Sequence, residues 1–186
     1  MELDNRTGAP EFVLIDVVEQ DKVANERVPA KNRDLADKGI IAREFVLIDV
    51  AGQTYALDIM AVREIRGWTS ATVLPGAPAY VRGMVNLRGL VLPIVDLGLR
   101  LGFPAAEPDG RHAVLVVQLN GRVLGLLVQG VSEILSVDGS AIQPAPDMGR
   151  EGSNFIVGVL PKEDRMIGVV DLSRALDILA DRTQAA

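Results

Sequence analysis

The sequence predicts a mainly β protein: two small five-stranded barrels side by side, followed by a short C-terminal helix. Three observations carry this. Short runs of Val, Ile and Leu are punctuated by turn residues, with 18 Gly and 10 Pro in 186 residues, the mark of many short strands. Aromatic residues make up only 4%, so the core must be aliphatic. Above all, the chain repeats itself. FVLIDVAGQTYALDIMAVREI (45–65) aligns with VLVVQLNGRVLGLLVQGVSEI (114–134) at an offset of 69. VRGMVNLRGLVLPIVDL (81–97) aligns with IVGVLPKEDRMIGVVDL (156–172) at an offset of 75.

Residues 1–43 carry nine acidic and seven basic side chains. That density predicts a solvated, flexible N-terminal extension, with a weak helical pattern over 31–38. A folded domain is expected over 44–186. In its first copy, strands are predicted near 44–50, 54–60, 62–66, 80–87 and 90–95. In its second copy they fall near 113–119, 122–128, 131–136, 155–160 and 165–170. Ala51-Gly52 and Asn120-Gly121 mark tight hairpin turns; Asn-Gly is the strongest such signal, because both of its residues tolerate positive φ. Five short strands cannot hide a face in an open sheet, but they can by curling into a barrel. The expected barrels span about 44–110 and 111–172. A helix follows over about 172–182, with Leu172, Ala175, Leu176 and Leu179 on one face and Asp171 as N-cap. The matching Asp96 is expected to cap a shorter turn over LGLRLG.

Composition excludes several kinds of chemistry. With no cysteine and one histidine, there is no disulfide, thiolate site or two-histidine zinc site. A net charge of -6 and few aromatics argue against a nucleic-acid-binding barrel. No apolar run is long enough to span a membrane, and the start MELDNRTGAPE lacks a secretory pattern. A cytoplasmic protein is expected. No phosphate loop, dinucleotide fingerprint or nucleophile elbow is present. His112 has no assignable nucleophile or orienting carboxylate, and Asp49, Asp58, Asp96 and Asp171 read as caps and turns. No cofactor, metal or catalytic residue is expected.

Charge concentrates instead in two segments, VREIRG (62–67) and VRGMVNLRG (81–89). Strand alternation puts Glu64 and Arg66 on one face and Arg63 on the other. Arg82, Asn86 and Arg88 share a face only if neither Gly83 nor Gly89 makes a bulge or turn. Such residues form either the wet face of a barrel or a protein-binding surface, where arginine is enriched.

EIRG (64–67), RGMVNLRGLVLPIVDL (82–97), GVSEIL (130–135) and IQPAP (142–146) occur in an order that resembles the CheW family of bacterial chemotaxis coupling proteins, over about 44–180. The resemblance implies two five-stranded SH3-like barrels and a non-catalytic adaptor. The implied partners are the regulatory domain of the histidine kinase CheA and the cytoplasmic tips of methyl-accepting chemoreceptors. The implied location is cytoplasmic, at membrane-associated receptor arrays, without membrane insertion. By motif position the resemblance assigns protein binding to Glu64 and Arg88, with Asn86 and Gly83 in the same motif. Val62 and Arg66 extend that set, as do Val131, Ser132 and Glu133 at the equivalent place in the second barrel. A similar scaffold in a non-flagellar pathway, or a generic barrel interaction module, is the alternative.

EFVLIDV occurs at 11–17 and again, unchanged, at 44–50. Gln20 also matches Gln53 at the same offset. The first copy lacks a hairpin partner. Competition for one sheet position would favour a strand-exchanged dimer through residues 11–17; a weakly ordered duplicated tail is the other reading.

Overall fold

Both repeat dipeptides turn the chain as expected. Ala51 and Gly52 have φ of 51° and 75°, and Asn120 and Gly121 have 49° and 77°. Positive φ at both central positions matches the twist of the strands it joins. In the computed structural model, which describes residues 42–145 and 154–176, these turns join β1 (Ala42–Val50) to β2 (Gln53–Asp58) and β6 (Ala113–Leu119) to β7 (Arg122–Val128). A 3-10 turn (Ile59–Ala61) leads from β2 to β3 (Val62–Gly67). The pair β4 (Val81–Leu87) and β5 (Leu90–Asp96) precedes α1 (Leu97–Arg100). After β7 come β8 (Gly130–Asp138), β9 (Gln143–Pro144), β10 (Ile156–Lys162), β11 (Arg165–Val170) and α2 (Leu172–Ala175). Most of the extension, the duplicate at 11–17 with its expected dimer, and the helix beyond residue 176 lie outside the described residues.

The mainly β, two-barrel class is observed, but the barrels are not successive halves of the chain. One sheet has the order β8-β1-β2-β11-β10-β9, the other β3-β6-β7-β5-β4. Each repeat therefore gives its first hairpin to the other repeat's remaining strands, and a boundary near residue 110 separates nothing. The connections explain why. Gln129 alone lies between β7 and β8, and one residue cannot reverse a strand into an antiparallel neighbour, which takes at least two. So β8 runs on and pairs with β1, Phe45 opposite Leu135. The 3-10 turn carries β3 in the same way onto β6, Ile65 opposite Leu115. Parallel pairs close the exchange: β11 on β2, with Gly168 opposite Tyr55, and β5 on β7, with Ile94 opposite Gly125.

Strand patterning follows from this arrangement. β1 reads as a continuous apolar run because both of its faces are covered. Phe45 and Leu47 join Leu160, Ile167 and Val169 inside one barrel. Val46, Ile48 and Val50 join Leu57, Val95, Leu115, Leu126 and Val170 in the core between the sheets. Inside the other barrel, Val114 and Leu127 pack with Val85, Leu92 and Ile94.

The caps match their pseudo-symmetric expectation. Asp96 Oδ1 accepts from Leu99 N at 3.0 Å, and Asp171 Oδ1 accepts from Ser173 N at 2.9 Å. The two ends are then tied together by Arg100. Its guanidinium lies 4.6 Å from the Tyr80 ring centroid and 4.7 Å from that of Phe155. Its Nε donates to Ala175 O at 2.6 Å, a carbonyl at the last turn of α2. Arg100→Ala removes two cation–π contacts and a charge-assisted hydrogen bond. The expected cost is about 2–3 kcal/mol, a fall in Tm of roughly 5–10 °C by thermal unfolding.

Candidate protein-binding surfaces

The Glu-Ile segments of the repeat occupy equivalent places. β3 and β8 each end a sheet, so each has an edge without a strand partner among the described residues. Each also carries a bulge at the same repeat position. On β3, Val62 pairs with Val117 and Glu64 with Val116, which leaves Arg63 out of register. On β8, Val131 pairs with Ile48 and Glu133 with Leu47, which leaves Ser132 out of register. A bulge re-aims the side chains around it and limits further pairing.

Glu64 and Arg66 share a face of β3, as alternation predicts. Arg66 Nη2 donates to Glu64 Oε2 at 3.2 Å. Arg66 Nε lies 3.1 Å from Glu64 Oε1, yet it is buried and too poorly aligned to bond, so that donor is left unsatisfied. Val62 beside them is 8% exposed and belongs to the core between the sheets; its side chain is not surface. On β8, Ser132 Oγ donates to Asp49 Oδ2 at 2.9 Å. Glu133 pairs with Lys162, and Val131 packs half-buried against the central core.

The second charged segment does not form one patch. A bulge between Val81 and Gly83 breaks the alternation, and Arg88-Gly89 is a turn with φ of 51° and 90°. Arg82 turns inward to Asp96, Nε to Oδ2 2.9 Å. Asn86 holds the turn: its Oδ1 accepts from Gly89 N at 2.8 Å. Arg88 is left at the exposed tip. Gly83 is a place of close approach, since a Cβ there would sit 2.2 Å from Thr72 O. The nine candidates thus divide among two strand edges, one turn tip and three supporting positions: Val62, Gly83 and Asn86.

The structure adds apolar surface that the strand pattern hid. Met60 is 80% exposed, because β2 ends at Asp58 and the following 3-10 turn points Met60 outward. It lies on a groove of about 560 Å³ whose lining includes Arg43, Phe45, Leu119, Val157 and Leu172. The groove therefore takes residues from both sheets and from α2. Leu90, Val91 and Met166 are also at least half exposed. They sit on matching strands, β5 and β11. A run of apolar residues gives no signal of such exposure when it continues past the end of a strand.

Among the described residues, no hydroxyl group is hydrogen-bonded to the single histidine, His112. His112 Nδ1 lies 3.0 Å from Asp109 N and 2.9 Å from Asp109 Oδ1 in a turn, so the sequence missed a neighbouring carboxylate three residues away. Hydrogen bonds from Arg111 hold the Asp109 carboxyl well below the usual carboxylate range. Among the described residues no three His, Cys, Asp or Glu side chains gather as a metal site, and no helix is long and apolar enough to cross a membrane.

The fold defines a class: a mainly β module of two interlocked barrels that share one core. The chain belongs to the CheW-like family, whose domain matches residues 44–180, and it is a scaffold protein of bacterial chemotaxis, not an enzyme. It is 54% identical to the chemotaxis protein CheW of Rhizobium meliloti over 131 residues, covering 70% of this chain and 84% of the relative. It is 31% identical to the CheW of Klebsiella aerogenes, covering 73% and 82%. The crystal structure of the scaffolding protein TtCheW from Thermoanaerobacter tengcongensis superposes with a TM-score of 0.68 at 28% identity, covering 74% of this chain and 94% of that one.

Proposed function

We propose that the protein couples the cytoplasmic tips of chemoreceptors to the histidine kinase CheA, and so places kinase autophosphorylation under receptor control at membrane-associated arrays. The observation that carries this reading is the doubled edge. β3 and β8 present the same Val-x-Glu-Ile pattern on the same bulge, one on each barrel. A partner built from a homologous barrel pair can meet such edges pseudo-symmetrically. The groove at Met60 is concave and partly apolar, and it suits the apolar face of a receptor helix. Glu64, Arg66 and Arg88, with Ser132 and Glu133, are the contact residues in this reading. Val62, Gly83 and Asn86 shape the surfaces, and Val131 belongs to the β8 edge.

The test is receptor-dependent CheA autophosphorylation, reconstituted with receptor membranes with and without this protein. Stimulation is expected; no stimulation with a cognate kinase would move the function to another pathway. Arg88→Glu should cut stimulation about tenfold or more, the scale of one charge-assisted contact. It should leave Tm within about 2 °C, as an exposed substitution does. The turn tolerates the change, because Glu163 holds the matching position with φ 52°. Unfolding of Arg88→Glu would instead make Arg88 structural.

A further inference from the structure

The repeat builds two grooves at equivalent places, and one of them is filled. The Met60 groove encloses about 560 Å³; its counterpart keeps about 40 Å³. The correspondence follows the repeat offsets of 69 and 75. Gln129 stands for Met60, Val50 for Leu119, Ala51 for Asn120 and Asp96 for Asp171. The counterpart's lining also includes the chain that follows α1, through Phe103, Pro104, Ala106 and Pro108.

We propose that residues 103–108 are a strap that occupies a second docking groove and holds it closed. The inference rests on the reading of the Met60 groove as a docking surface. The strap begins where α1 stops. Gly102, with φ 85°, lets Gly102 N donate to Leu99 O at 3.1 Å and Phe103 N to Gly98 O at 2.9 Å, a helix ending that needs a left-handed residue. Phe103 is the anchor. It packs half-buried against the central core and meets Tyr55 edge-on, ring centroids 6.5 Å apart. The middle is held by Arg82, whose Nη2 donates to Ala106 O while its Nε donates to Asp96. The far end reaches Asp109, which accepts from Arg111 N at 2.9 Å. Arg82 marks the difference between the grooves. Its repeat equivalent is Val157, 44% exposed, which has no donor for a carbonyl. Pro104 and Pro108 lack N–H groups and bias Phe103 and Glu107 toward extended backbone. The strap therefore needs few partners and gives up little chain entropy on seating. Pro104, Ala105, Ala106 and Glu107 are exposed, so only one side of it is covered. A segment held this way belongs to the parts of a fold that open first. Its release uncovers Val50 and Val128, each 2% exposed, as an apolar floor.

The chain has no cysteine, so a single engineered thiol reports alone. Gly98 lines the strapped groove and Ser173 the Met60 groove, at equivalent positions. Phe103→Ser removes the anchor; Pro104→Gly with Pro108→Gly loosens the strap and leaves the ring. In the full-length protein, maleimide labelling of Gly98→Cys should become about tenfold or more faster with Phe103→Ser, and faster by less with the proline pair, while labelling of Ser173→Cys stays unchanged. Without either thiol, the loosened variants should bind an additional molecule of the apolar dye anilinonaphthalene sulfonate and still unfold cooperatively. Met60→Glu addresses the other groove alone. It should lower dye binding by the native protein and leave the additional molecule in place; no effect would count against the Met60 reading and not against the strap. Unchanged labelling of Gly98→Cys would overturn the proposal, as would faster labelling with no added dye. Loss of cooperative unfolding in both loosened variants would make the segment structural and overturn it too.

Discussion

Val95→Asp is expected to abolish the folded state of the whole protein. Val95 is fully buried and stands between Val81 of β4 and Leu126 of β7 in the sheet. Its side chain lies in the core that both sheets share. No buried polar or charged residue exists among the described residues to receive a carboxylate. Losing the valine contact costs about 1–2 kcal/mol, and burying an unpaired carboxyl adds several more. The total, about 5 kcal/mol or more, equals much of the usual stability of a domain. Loss of the cooperative transition by circular dichroism is the expected result, or a fall in Tm of at least about 10–15 °C. Because the core is shared, probes in both barrels should lose structure together. A shift below about 3 °C would contradict the inward phase of Val95 on β5.

Gly83→Ala is the second large effect, and it acts through the backbone. Gly83 has φ 140°, a region that L side chains rarely adopt. An added Cβ would lie 2.2 Å from Thr72 O and 2.7 Å from Thr72 C. The contact is tight because Thr72 and Met84 exchange two backbone hydrogen bonds, both 2.8 Å. Alanine must push that segment off β4, breaking both bonds and straining the bulge. About 3–4 kcal/mol is the expected cost, with amide protection at Thr72 and Met84 lost in hydrogen exchange. Gly158, the repeat equivalent, should tolerate alanine better. Its φ is not in the positive region, and its Cβ would meet Ile142 Cγ2 at 2.6 Å and Gln143 O at 3.0 Å, crowding less severe than the 2.2 Å approach to a carbonyl oxygen at Gly83. Equal losses at the two glycines would argue against backbone crowding as the cause.

Much of this molecule could be read before its structure. The repeat located every long strand, because Ala51-Gly52 and Asn120-Gly121 break the apolar runs at matching places and Asp96 and Asp171 cap the helical turns after β5 and β11. The pairing of hairpins with sheets could not be read the same way. Alternation describes which face a residue occupies and says nothing about which strand lies beside it. A signal did exist: Ile59, Met60 and Ala61, and Gln129 alone, are poor residues for reversing a strand. The surfaces were legible in part. Glu64 and Arg66 share a face because strand periodicity alone places them. Asn86 and Gly83 turned out to be architectural, one holding a turn and one admitting a neighbouring segment. Arg82 was drawn inward by Asp96, a partner fourteen residues along that local pattern cannot anticipate. Met60 escaped notice because an apolar residue just past a strand looks like one more strand position.

The exchanged hairpins have a mechanical consequence. Domains joined by a linker can bend about it, and a ligand on one is felt by the other only as far as the linker allows. In this protein Gln129 is the only residue between β7 of one barrel and β8 of the other, and the 3-10 turn joins β2 to β3 almost as closely. The two barrels also share one continuous apolar core. There is no hinge to absorb a displacement. A push on the edge of β8 must be passed through β1 and β7 toward β3, as a stiff beam passes a load from one bearing to the other.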